Sequence, residues 1–223
     1  KIEKEITYES IISGTGFEKD SDTIFSTPLS AITGKIGIHL HVSDIILAQE
    51  CISFLQNFPY KFDLMITGSW ENHGQIHALF ESLLPNICHI NVLTVPQRGR
   101  NVAPWLICFG EIHSQYDFCC HLHTNIPSKY NFAEAWRRYL FSNLVQSDSA
   151  NLALNILQQN SNIGCVFPSI YSELQKHLLK NSIPLIGDHS NLNIIYDESN
   201  KYYIKDPACR KEVNFSAGLM LWY

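Results

Sequence analysis

Apolar runs of strand length alternate with helical stretches four times before residue 123, and a chain with that rhythm has few folds open to it. Residues 35–42 form the first apolar run. Residues 44–57 follow, placing Ile45, Leu47, Ala48, Cys51, Ile52, Phe54 and Leu55 along one helical face. The second strand is read at 62–67 and the second helix at 74–84, with Ile76, Leu79, Phe80, Leu83 and Leu84 apolar. The third strand is read at 89–95, a short helix at 102–113 and the fourth strand at 116–122. Strand–helix alternation of this kind specifies an α/β fold with a mostly parallel sheet flanked by helices. Helices follow at 132–145 and 149–159, a short strand at 163–167 and a helix from Ser172, whose spacing to Gln175 fits a capping box, to about 181. Residues 184–213 read as loop with a weak strand at 192–196. The run at 215–223 reads as a strand still in progress, so the chain is expected to be a fragment truncated at its C-terminus. Residues 1–34 read as a linker or an arm laid on the surface of a domain over 35–223.

Hydrophobic residues are 45% of the chain and charged residues 17%, a globular and not a disordered balance. A formal net charge of −5 favours no nucleic-acid partner. The seven cysteines lack framework spacing and sit mostly in apolar runs, which points to a reducing compartment. No stretch is long and apolar enough to span a membrane as a helix.

In such a fold, polar groups at the carboxyl ends of strands are the first place to look for a site. Gln97, Arg98, Gly99, Arg100 and Asn101 follow the third strand. Arg98 and Arg100 suit a diphosphate, with Gly99 allowing close approach and Asn101 capping the helix that begins there. His121 and His123 share one face of the fourth strand, and His39 and His41 one face of the first. Such pairs suit a metal, a phosphate or a proton relay. In a parallel sheet both pairs could converge on one crevice. Thr67 ends the second strand, where a base or ribose could be held. Arg137, in the block Trp136-Arg137-Arg138, could reach a phosphate. Met220 and Trp222 share a strand face and could pack the core or line an acceptor pocket. Asp44 reads as a helix cap, Asp63 as a residue that orients a turn, and Asp188 with His189 falls in a loop. No Gly-x-Gly-x-x-Gly, Walker loop, Gly-x-Ser-x-Gly or His-Glu-x-x-His motif is present.

The order of these blocks resembles the rhamnan synthesis F family of bacterial polysaccharide glycosyltransferases. The matching pieces are His39-Leu40-His41-Val42, Phe62-Asp63-Leu64-Met65-Ile66-Thr67, Arg98-Gly99-Arg100-Asn101-Val102-Ala103-Pro104-Trp105, His121-Leu122-His123-Thr124, Trp136-Arg137, Ile163-Gly164 with Pro168, and Ala217-Gly218-Leu219-Met220-Leu221-Trp222. The resemblance implies a GT-A type, Rossmann-like fold and a nucleotide-diphosphate sugar as donor. The acceptor would be a lipid-linked or growing glycan, reached at the cytoplasmic face of the inner membrane. Rhamnan, O-antigen or capsule would be the product. It places His39, His41, Thr67, Arg98, Gly99, Arg100, Asn101 and Arg137 on the donor side and Met220 and Trp222 on the acceptor side. His121 and His123 would fall where related enzymes carry Asp-x-Asp, and are the candidate catalytic residues. The family commonly has Asn for Gln97, Asp for Asn101, Lys for His121 and Lys-Lys-Ser for Asn125-Ile126-Pro127, so rhamnose is one possible sugar among others. With imidazoles where carboxylates would hold an ion, no cofactor is expected and Arg98 and Arg100 would substitute for a divalent metal. Two other readings stand beside transfer: a non-catalytic glycan-binding or scaffold module derived from such an enzyme, and a histidine-dependent phosphotransferase or hydrolase.

Overall fold

The computed structural model describes residues 30–43, 45–69, 73–96, 100–124, 130–168, 171–180 and 220–223. A five-stranded sheet runs through these residues, in the order β3-β2-β1-β4-β5. The strands are β1 (Ile36–His41), β2 (Phe62–Gly68), β3 (Ile87–Thr94), β4 (Phe118–His123) and β5 (Leu221–Trp222). The first four are mutually parallel and β5 is antiparallel to β4. The α/β class and the mostly parallel sheet read from the alternation are therefore present. The helices are α1 (Ile45–Leu55), α2 (His73–Leu83), the short α3 (Gly110–His113), α4 (Ala133–Val145), α5 (Ser147–Gln159) and α6 (Ser172–Lys180).

Every residue of β1, β2 and β4 is buried, so both faces of the central sheet are covered. Alternation divides the residues between the faces. On one face lie Ile36, Ile38, Leu40, Leu64, Ile66, Cys120 and Leu122. They join Ala48, Ile52 and Leu55 of α1, Ile76 and Phe80 of α2, and Leu140, Leu144, Ala153 and Leu154 of α4 and α5 in one apolar core. Ala48, Ile52 and Leu55 recur at helical spacing, so α1 forms where its apolar stripe meets the sheet. Trp222 closes this core. Its ring stacks on Phe58 and its indole N–H donates to the Leu144 carbonyl at 2.9 Å.

The other face carries Gly37, His39 and His41 of β1, Asp63, Met65 and Thr67 of β2, and Cys119, His121 and His123 of β4. The crossover from β3 to β4 covers it. The single helix expected at 102–113 is instead two pieces, a π-helical turn at Pro104–Cys108 and α3, separated at Phe109. Trp105 and Phe109, four residues apart, both reach the histidine face of the sheet. The strand expected at 163–167 is a single antiparallel bridge between Val166 and Trp222. Of the run at 215–223, residues 221–222 are strand among those described; the weak strand at 192–196 and Asp44 lie outside them.

Residues 30–33, the end of the expected arm, are laid on α5. The Ser30 and Thr33 amides donate to the side-chain oxygens of Asn155 and Gln158, at 2.8 and 2.9 Å. At Gly34 the backbone turns through φ 138, a conformation open to glycine, and Asp117 accepts from the Lys35 amide at 2.7 Å. Arg137 and Arg138 of α4 both pair with Glu50 of α1. Burial alone would raise the Glu50 pKa; hydrogen bonds from Arg138 and Arg137 outweigh it and hold the carboxyl below its ordinary value.

Gly37 shows how closely the polar face is covered. A Cβ there would lie 2.9 Å from the Tyr116 ring. That ring cannot retreat freely, because its hydroxyl donates to Asp63 at 3.1 Å and Lys35 Nζ lies 4.5 Å from its centroid. Gly37→Ala is therefore expected to destabilise the fold by about 1–3 kcal/mol, the cost of overpacking a filled site. Urea unfolding of the two proteins measures it, and equal midpoints would contradict the tight packing described.

Candidate functional site at the carboxyl ends of the central strands

β1 and β4 are neighbours although two strands, three helices and the π-helical turn separate them in the chain. The strand order turns at this pair: β1, β2 and β3 run outward on one side and β4 begins the other. In open α/β sheets ligands bind outside the carboxyl ends of the strands at such a switch point. The two His-x-His pairs face each other there in register, His39 opposite His121 and His41 opposite His123, with Thr67 of β2 beside His41. The convergence expected from the spacing of the four histidines is thus present.

The side chains are joined directly. His39 Nδ1 and His121 Nδ1 are 2.8 Å apart, in rings only 8° from coplanar. That geometry directs the N–H of one imidazole at the nitrogen lone pair of the other. Thr67 Oγ1 lies 2.9 Å from His39 Nε2 and 2.9 Å from His41 Nδ1. Asn101 Nδ2 lies 3.2 Å from His121 Nε2. Trp105 stacks on His121, with centroids 4.3 Å apart, and Phe109 tilts against His39 at 5.6 Å. Beyond them the Trp105 indole donates to Tyr223 Oη at 2.8 Å, and Tyr223 Oη lies 2.9 Å from His113 Nδ1. At the end of β4, Thr124 Oγ1 accepts from the Ser43 amide at 2.9 Å, tying together the loops that leave β1 and β4.

Exposure grades the four histidines. His121 is 0% exposed and His39 1%, while His41 and His123, at the strand ends, are 8% and 3% exposed. Burial lowers the pKa of His39 and His121 well below the usual imidazole value, and their histidine neighbours lower it further. Burial also lowers His41 and His113. These rings are neutral near pH 7. Among the described residues, no group of three His, Cys, Asp or Glu side chains is placed to hold a metal ion.

Several expected site residues sit differently. Both ring nitrogens of His121 are engaged within the protein, so it supports the cluster and has none left for a substrate. The Asn101 side chain turns to His121 and does not cap the following turn, whose N-cap has no side-chain bond. Arg137 is buried with its guanidinium on Glu50, so its charge is already paired. Met220 and Trp222 are 0% exposed, and Trp222 pairs with Cys120 in the apolar layer, across the sheet from the histidines. They are core residues, with no surface to offer an acceptor. Asp63 is at the amino end of β2, bound by Lys35, His89 and Tyr116. Burial pushes its pKa up, but these bonds outweigh it and leave the carboxyl below its ordinary value. Arg100 is exposed and holds a positive φ of 53. Gln97, Arg98, Gly99, Asp188 and His189 lie outside the described residues. Sequence reasoning missed Phe109, His113 and Tyr223. The spacing of Trp105, Phe109 and His113, four residues apart each time, was the available signal for one aromatic face.

The neutral histidines make stability depend on pH. In the unfolded chain each takes a proton near pH 6.5, while in the folded protein His39, His121, His41 and His113 take it only at lower pH. The unfolded state then binds more protons, so stability is complete above about pH 6.5 and falls as pH drops below it. The slope reaches at most about 1.4 kcal/mol per pH unit for each histidine that stays neutral. Asp63 and Glu50 lose their contribution only below about pH 5, where unfolded carboxylates begin to protonate. Unfolding free energies measured between pH 7.5 and 5 isolate the histidines, and a flat profile there would contradict their neutrality.

No helix among the described residues is long and apolar enough to cross a membrane. A search among curated proteins found no match. A family model described as rhamnan synthesis protein F matches residues 17–219. That span contains the four parallel strands, the histidine cluster, and Trp105 and Phe109 over it. The chain belongs to the rhamnan synthesis protein F family, whose members take part in making rhamnan polysaccharide.

Proposed function

We propose that this chain is a glycosyltransferase of the GT-A type, which moves a sugar from a nucleotide-diphosphate donor onto a growing bacterial surface polysaccharide. The observation that carries the reading is the polar cluster at the switch point between β1 and β4, in a member of a rhamnan-synthesis family. The donor would lie outside the carboxyl ends of these strands, with its diphosphate toward Arg98 and Arg100. Positive charge beside the diphosphate would stabilise the departing nucleotide diphosphate. His41 offers a neutral imidazole to the donor. His123, at the last position of β4, is the candidate base for the acceptor hydroxyl. Rhamnose is one candidate sugar, and a lipid-linked or growing glycan at the cytoplasmic face of the inner membrane is the candidate acceptor.

Arg100 gives the first test. A non-glycine residue at φ 53 carries a backbone cost, which is kept where the side chain has a use, and glycine removes both cost and side chain. Arg100→Gly is expected to keep or raise stability, by up to about 1 kcal/mol. It should weaken nucleotide-sugar binding by about 1.5–3 kcal/mol, the worth of a charged hydrogen bond. Calorimetric titration with nucleotide-sugars and nucleoside diphosphates reads the second effect. A variant that binds like the parent would remove Arg100 from the donor site.

A second reading, a non-catalytic glycan-binding module, draws on the closure of His39 and His121 beneath Trp105 and Phe109. The folded full-length protein decides between them. Absence of binding to any nucleotide-sugar or nucleoside diphosphate at millimolar ligand would favour the module. For the enzyme we expect transfer to persist in excess chelator. Activity abolished by chelator and restored only by a divalent ion would overturn the metal-free mechanism.

A further inference from the structure

We propose that Asn101 is a positioning residue that sets which nitrogen of His41 carries the proton, acting through one directed hydrogen-bond chain, Asn101–His121–His39–Thr67–His41. Asn101 and His41 belong to separate parts of the sequence, and nothing in the donor reading above requires them to be linked.

The direction of the chain follows from a count of protons. A neutral imidazole has one N–H and one bare nitrogen, and a hydroxyl has one proton. His121 and His39 each use both ring nitrogens in the chain, so assigning one end assigns the rest. Asn101 presents its amide nitrogen to His121 Nε2 and donates. His121 Nε2 is therefore bare and its proton is on Nδ1. That proton is donated to His39 Nδ1 across 2.8 Å, which puts the His39 proton on Nε2. His39 Nε2 donates to Thr67 Oγ1. Thr67 is 0% exposed, and among the described residues its hydroxyl's hydrogen-bond partners are the two imidazoles. Since His39 already donates to it, the Thr67 proton goes to His41 Nδ1. His41 then carries its own proton on Nε2.

The reverse assignment is equally complete. An acceptor at residue 101 would place a proton on His121 Nε2. Each bond down the chain would then run the other way, ending with the His41 proton on Nδ1 and Nε2 bare. A reversal that stops between His121 and His39 leaves two nitrogens meeting with no proton or with two, and one that stops at Thr67 leaves the hydroxyl proton or a ring nitrogen without a partner; a buried unsatisfied polar group is costly. The chain therefore switches as a unit. Neutrality of the rings, which burial enforces, is what makes the count binding. On the glycosyl-transfer reading, the native direction makes His41 an N–H donor toward a donor-sugar oxygen and not a base, leaving the base role to His123. That consequence rests on the reading; the tautomer assignment does not.

The experiment is ring-nitrogen NMR of the 15N-labelled full chain at pH 8 without substrate, so that it is independent of whether the protein transfers sugar. In the parent, His121 should show the less common Nδ1–H tautomer, with His39 and His41 as Nε2–H. In Asn101→Asp, whose carboxylate only accepts, all three should exchange, and His41 should move to Nδ1–H. Adding Thr67→Val to Asn101→Asp cuts the chain before its last member. His41 should return to Nε2–H while His39 and His121 stay reversed; Thr67→Ser in the same place should keep His41 reversed. A role in packing alone would not move His41 from position 101. The proposal is overturned if parent His121 is Nε2–H or doubly protonated. It is overturned equally if Asn101→Asp folds and His41 does not exchange. Should Asn101→Asp fail to fold, the parent tautomer pattern alone decides.

Discussion

Two imidazole nitrogens held 2.8 Å apart across neighbouring strands set the terms for much of this molecule. A parallel sheet covered on both faces ordinarily has apolar side chains on both. Here one face of β1 and β4 is instead lined with histidine, and no ring in its interior can reach water. Each buried polar atom must find its partner inside the protein or cost free energy. The register that sets His39 against His121 and Thr67 beside His41 meets that demand. A one-residue slip of either strand would send these rings into the apolar core and expose its leucines to the polar layer. Polar pairing therefore reinforces the register on one face while apolar packing sets it on the other.

The crossover from β3 to β4 is shaped by the same need. A regular α-helix over 102–113 would repeat every 3.6 residues. Here a π-helical turn and a short α-helix replace it, and Trp105 covers His121 while Phe109 meets His39. Asn101, just before the turn, occupies the last nitrogen of His121. The cover excludes water and so keeps the histidines neutral. Their neutrality in turn gives the hydrogen-bond chain a definite direction. Packing, protonation state and the presentation of His41 at the strand ends are thus linked. The thiols in the opposite layer show the same exclusion without a polar role: burial pushes Cys51 up to about 12, where it behaves as a small apolar side chain.

Much of this was legible beforehand. The alternation of apolar runs located the four parallel strands to within a few residues, because periodic burial leaves a periodic sequence. The shared face of His39 with His41, and of His121 with His123, followed from the two-residue repeat of a strand. The reading faltered where local pattern has two tertiary outcomes. Asn101 precedes a helical turn as caps do, but a buried imidazole nitrogen competes for its amide. Arg137 has the chemistry for phosphate, yet Glu50 on the packed neighbour α1 takes it first. Met220 and Trp222 share a strand face, but which face is decided by pairing with β4, and that pairing buries them.

The sequence by itself determined the class of fold, the strands and the presence of a polar stripe on β1 and β4, because these depend on spacing along the chain. Tertiary structure alone decided that β4 lies against β1 and not β3, since strand order is set by which apolar faces can be buried together. From that adjacency came the His39–His121 contact, the seat of Thr67 between two rings and the place of Trp105 over them. A histidine in a sequence has two possible proton positions, and only its bonded neighbours in space select one.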